Sequence, residues 1–142
     1  MSTYETDFYG WVFDQAEFLK AGRFVDLDLE HLIEEIESMG RREKRTLESR
    51  LIVLLQHLLK WQYQPMRRGR SWQSTIKVQR NRMIEVVEDN PSLKPKIPEI
   101  LHTAYSSAVL GAASETGLDE NVFPEQCPWS YAQVCDNTYY PD

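Results

Sequence analysis

His57, Lys60 and Trp61 fall within five residues, and a short basic loop separates them from Trp72, Gln79 and Arg80. Indole faces can hold a flat ligand, and lysine or arginine can neutralise its anion, so these six residues define a candidate binding site between two successive helices. His57 could serve as a base, a ligand or a ring held in the core. No nucleophile or carboxylate stands beside it in sequence, which favours the structural role. Thr75 and Gln79, on the inward side of the following helix, are expected to hydrogen-bond that ring, because buried polar groups need partners. Glu115 occupies the last turn of a later helix, where a carboxylate opposes the helix dipole. It therefore calls for a cation, Arg80 or Lys60, with a catalytic carboxylate as the less favoured reading. A closed polar network that fixes helix register would use the same residues, and it is the reading preferred over an open site.

The stretch from Lys60 to Arg82 is basic throughout. It carries Arg67, Arg68, Arg70, Lys77, Arg80 and Arg82 among Trp61, Tyr63 and Trp72, with no acidic residue. Guanidinium groups beside aromatic rings suit phosphate contact and base stacking, so nucleic-acid binding is an alternative function, although no nucleic-acid motif accompanies the pattern. His31 and Glu35 stand at i and i+4, near enough to share a metal ion. Two ligands do not make a site, and Glu30, Glu34 and Glu37 read as a solvated face, so no metal is assigned. Phosphate-loop, dinucleotide, nucleophile-elbow and HExxH patterns are missing, and no catalytic residue or cofactor is assigned.

The elements that must position these residues are helical. Asp7 caps a first helix that places Phe8, Trp11, Val12, Ala16 and Leu19 on one face and stops at Gly22. Tyr4, Phe8, Tyr9, Trp11, Phe13 and Phe18 exceed what one face can bury, which predicts a contact surface. Asp28 caps a second helix with Leu29, Leu32, Ile33 and Ile36 at helical spacing, interrupted at Gly40. A central helix follows from about Arg41 to Gln64, through Leu47, Leu51, Leu54, Leu55, Leu58 and Trp61, and Pro65 ends it. Ser71 is expected to cap the next helix, with Trp72, Ile76, Met83, Val86 and Val87 as its stripe to Asn90 and Pro91. Another helix spans Ile97 to Thr116 with Gly117 as its left-handed close, and Ala104, Ala108, Gly111 and Ala112 along it predict close helix packing. The tail holds Pro124, Pro128 and Pro141, admits one short helix over 129–135, and should wrap the bundle to bury Phe123, Trp129, Tyr131 and Val134.

The expected fold is thus all-α, a bundle of five or six helices with an irregular Pro-rich C-terminal strap, in a single domain over residues 1–142. Its length and 42% hydrophobic content suffice for a core without disulfides. The opening MSTYETDFYGW is acidic and lacks the features of a secretory signal, no apolar run approaches the ~20 residues of a membrane span, and Cys127 and Cys135 read as reduced structural thiols. A cytoplasmic protein without a membrane span is expected. Charge is segregated: residues 1–40 carry 2 basic and 10 acidic residues, 41–82 carry 12 and 2, and 83–142 carry 2 and 10. Acidic helices packed beside a basic one account for this without an anionic partner.

Tyr4 through Trp11, LDLEHLIEEIESMG, HLLKWQYQP from His57, SWQSTIKVQR from Ser71, ETGL from Glu115 and FPEQCP from Phe123 together resemble a bacterial, largely cyanobacterial family known as domain of unknown function twenty-nine. The resemblance runs almost end to end and implies a helical fold of this length in a bacterial cytoplasm. It carries no activity and no catalytic residues. The aromatic first helix and the missing catalytic signatures therefore favour a non-enzymatic interaction module that binds a protein partner or itself. Nucleic-acid binding through the basic stretch, or a small-molecule or enzymatic site around His57, are the alternatives.

Overall fold

Asp7 opens helix α1 (Phe8–Lys20) by accepting the Gly10 N–H at 3.0 Å, and Gly22 (φ +70°) follows its end in the left-handed region. The computed structural model describes residues 2–142, in which α1 is followed by α2 (Leu29–Tyr63), α3 (Arg70–Asp89), α4 (Ile97–Thr116) and α5 (Tyr131–Cys135). Short 3-10 turns join them. The fold is all-α, and no strand occurs among the described residues. None of the helices is long and apolar enough to cross a membrane.

Two expectations about helix ends are corrected. Gly40 does not interrupt: the second and central helices are one 35-residue helix, α2. A helical glycine costs ~1 kcal/mol against alanine, and that deficit is met by the strong helix formers Glu37, Met39, Arg41 and Arg42 on either side. Ser71 does not cap α3 either. The helix begins at Arg70, two residues earlier than a Ser71 cap would allow, with extended Gly69 as its N-cap and no side-chain cap.

The chain falls into two compact units, Met1–Arg42 and Glu43–Asp142. In the first, the inward face of α1 is Trp11, Gln15 and Phe18, whereas Phe8, Val12 and Leu19 stay exposed. Polar bonds explain the rotation relative to the apolar expectation. Trp11 Nε1–H donates to Asp28 Oδ2 at 3.0 Å, and Gln15 Oε1 accepts the Asp28 N–H at 2.8 Å, so α1 is oriented by its ties to the start of α2.

The second unit holds the main core. Leu47, Leu51, Leu54, Leu55, Leu58 and Leu59 of α2 are fully buried with Ile76 and Met83 of α3 and Ala104, Ala108 and Ala112 of α4. The expected close approach of a helix backbone to the small residues of α4 is not made: Ala104, Ala108 and Ala112 are fully buried under side chains, and the Gln56 side chain fills the space above Gly111. The C-terminal strap buries Phe123, Trp129 and Val134, Tyr105 Oη donates to the Pro124 carbonyl at 2.6 Å, and Ser130 with Gln133 forms a capping box for α5. Leu54→Ala should lower the unfolding free energy by ~2–5 kcal/mol in denaturant titrations while leaving the helical dichroism spectrum intact.

Candidate functional site

Lys60, near the end of α2, is the residue around which the expected polar cluster forms. Its side chain is 11% exposed, its Nζ donates to Glu115 Oε2 at 2.5 Å, and it lies 4.9 Å from the centre of the Trp72 ring. The expected inter-helix ion pair for Glu115 is thus made, with Lys60 as the partner. The Lys60 bond holds the Glu115 carboxyl below its usual range. Lys60, Gln64, Arg67, Trp72, Glu115 and Thr116 line an open cavity of about 340 Å³.

The remaining members of the expected site are directed elsewhere. Arg80 is fully buried, and its guanidinium donates to the carbonyls of Val134 and Tyr139, each at 2.8 Å, and faces the Tyr140 ring. It pins the strap to α3 rather than meeting Lys60 or His57. Trp61 is buried against Tyr140, with the Arg68 guanidinium over its ring. The expected bonds from Thr75 and Gln79 to His57 are not formed. Thr75 donates to Ser71 O of its own helix, Gln79 accepts from Arg50, and His57 Nδ1–H donates to Val53 O at 2.8 Å one turn back along α2. A histidine on a helix finds its own i−4 carbonyl without any tertiary requirement, which is why the cross-helix network is unnecessary. Burial pushes the His57 pKa down, so the ring is neutral at pH 7.

The basic stretch divides likewise. Arg68 donates to Trp61 O at 2.6 Å and to Asp142 O at 2.5 Å, while Arg67, Arg70, Lys77 and Arg82 are exposed, Arg82 within 3.7 Å of Glu85. A larger cavity, about 590 Å³, runs along α4 and the segment after it and contains none of the residues expected from sequence.

In the first unit the structure brings together residues that spacing alone did not join. Asp28 accepts from Trp11, from the His31 backbone and from His31 Nδ1–H at 2.7 Å; the His31 ring stacks on Tyr4 with centres 4.0 Å apart. Tyr4 donates to Glu35 Oε1, which pushes its phenol up to about 12, and the His31 pKa is raised by Asp28. His31 and Glu35 therefore have separate protein partners, Asp28 and Tyr4. The D-x-x-H spacing at the start of α2 was the available signal, since a cap and a residue one turn on face each other.

The first unit also carries many exposed apolar side chains. Of fifteen exposed large apolar side chains among the described residues, eleven precede Arg42, so the smaller unit holds most of the uncovered apolar surface. Tyr9, Phe13, Phe24 and Val25 come from α1 and the turn after it, and Leu29, Ile33, Ile36 and Met39 from α2.

The chain belongs to the family described as Domain of unknown function DUF29, whose model matches residues 3–140. No curated protein and no solved structure matches it.

The two histidines have opposite linkage to pH. His31, raised by Asp28, contributes stability that is complete below the unfolded pKa of 6.5 and is lost as pH rises through the folded value; His57, lowered by burial, contributes above 6.5 and loses it as pH falls through the folded value. His31→Asn should thus destabilise more at about pH 5.5 than at about pH 8, and His57→Asn the reverse, in paired thermal melts.

Proposed function

We propose that this protein is a non-enzymatic helical interaction module, probing its partner with the apolar surface of the Met1–Arg42 unit. One observation supports the reading above the rest. Leu29, Ile33, Ile36 and Met39 are each more than half exposed on a single helix, in positions where 100° per residue keeps them within one broad stripe. A stripe of that kind in a folded helix ordinarily faces another element, and contiguous exposed apolar patches mark contact sites. The reading places the protein in the cytoplasm and treats the Lys60, Trp72 and Glu115 cluster as architecture. Nucleic-acid binding is the less supported alternative: Arg67, Arg70, Lys77 and Arg82 are exposed, but Lys60, Arg68 and Arg80 of the same stretch are engaged within the chain.

Replacing Ile33 and Ile36 together by serine should leave the helical dichroism spectrum unchanged, since both side chains are more than half exposed in the chain. It should weaken association at least tenfold, because full burial of each isoleucine in an interface is worth ~1.5–3 kcal/mol. Light scattering and capture on immobilised protein measure this. Association that is indifferent to both substitutions would defeat the reading.

A further inference from the structure

From Ile97 to Asp142 the chain contains no lysine or arginine. Glu99 and Glu115 of α4 reach Lys44 and Lys60 of α2, but the carboxylates of Glu120 and Glu125 have no ion-pair or hydrogen-bond partner among the described residues. Both line the cavity of about 590 Å³ along α4 and the segment after it. Tyr105, Val109, Leu110 and Phe123 line it too, and Tyr105 and Phe123 belong to the main core. Leu110, and Val122 next to Phe123, are two of the four large apolar side chains that the second unit leaves exposed among the described residues. Uncovered apolar surface and unanswered negative charge therefore coincide at one groove.

The groove is also preformed. Tyr105 Oη donates to the Pro124 carbonyl at 2.6 Å, Asp119 accepts the Asn121 N–H at 2.9 Å, and the Phe123 ring meets Tyr63 edge-on with centres 4.9 Å apart. A binder meets a wall that is already ordered, which lowers the cost of association.

We propose that this groove docks a basic segment of a partner protein, with an apolar side chain seated against Leu110 and Phe123 and a neighbouring lysine or arginine at Glu120 and Glu125. It is a second contact surface, on the larger unit, and it stands independently of the apolar face of the smaller one. Two features select the occupant. Apolar lining beside free carboxylates complements a chain that alternates apolar and cationic side chains, whereas an acidic chain would meet like charge. The groove is open to solvent, and small-molecule pockets bury ~70–90% of their ligand, so an extended chain that keeps its outer side in water fits it better than a free cation does.

A blocked, fluorophore-labelled peptide of alternating arginine and leucine is the probe, read by fluorescence anisotropy. The wild type should bind it, and less tightly as salt rises. Citrulline in place of each arginine keeps the shape and removes the charge; it should weaken binding at least ~tenfold, as should Glu120→Gln with Glu125→Gln in the protein. Leu110→Ser should also weaken it. These three positions are exposed, so the dichroism spectrum should stay unchanged in every variant. Glu88→Gln with Asp89→Asn removes the same charge from exposed positions of α3 outside the groove and should bind like the wild type. Ile33→Ser with Ile36→Ser should do so as well, which separates this surface from that of the smaller unit. A wild type that ignores the peptide at low salt overturns the proposal, and so does an equal loss in the two charge-neutralised proteins or a loss in the double serine variant. Displacement of the peptide by free agmatine at equal concentration would overturn it in favour of a small-cation site.

Discussion

Everything in this fold answers to the unbroken length of α2. At 1.5 Å per residue its 35 residues extend about 52 Å, while α3 and α4, with 20 residues each, extend about 30 Å. From Leu47 to Leu59 its leucines are buried by α3, α4 and the strap. Over Leu29–Met39 the apolar spacing continues without comparable cover, since α1 has only 13 residues and engages the start of α2 largely through Trp11, Gln15 and Asp28. Within the Met1–Arg42 unit, therefore, Leu29, Ile33, Ile36 and Met39 are each more than half exposed.

Three of the basic residues between 41 and 82 find partners on other elements of the second unit. Lys60 meets Glu115, Lys44 meets Glu99, and Arg80 finds carbonyl oxygens of the strap. These contacts differ in weight. The Lys44 pair is solvated and worth ~0–1 kcal/mol. A fully buried guanidinium is costly unless its donors are occupied; Nε and Nη2 of Arg80 are taken by the strap's carbonyls at Val134 and Tyr139, while Nη1 is buried without a hydrogen-bond partner among the described residues, its charge facing the Tyr140 ring. Removing the strap would therefore expose apolar surface and also strand a charge.

Much of this was legible in the sequence. Asp7, Gly22, Pro65, Pro91 and Gly117 act through local stereochemistry, so their effects are readable without knowing the fold. The Lys60 partner for Glu115 also follows from a rule that operates over one pair. What was not legible depends on competition. Gly40 is a weak breaker, and only its neighbours decide whether the helix continues. Gly69 took the cap position from Ser71 because the preceding turn already set the backbone extended. The inward face of α1 was misread because two hydrogen bonds to Asp28 outweighed the exposure of Phe8, Val12 and Leu19. His57 bonded within its own helix, where spacing across helices has no say.

The arrangement of charge on α2 carries a last implication. A helix dipole favours acidic residues in the first turn and basic ones in the last, and Glu30 and Lys60 comply. It gives no reason for Arg41 and Arg42 near the middle, about 20 residues before the C-terminus, since the effect fades within a turn of either end. Local pairing gives a weak reason: Glu37 and Arg41 approach to 3.7 Å, but both are exposed, and such i,i+4 pairs contribute ~0.3–0.5 kcal/mol. Arg42 also has an interaction within the chain, so the basic pair that ends this unit is answered locally, on the side of the helix turned away from the apolar stripe.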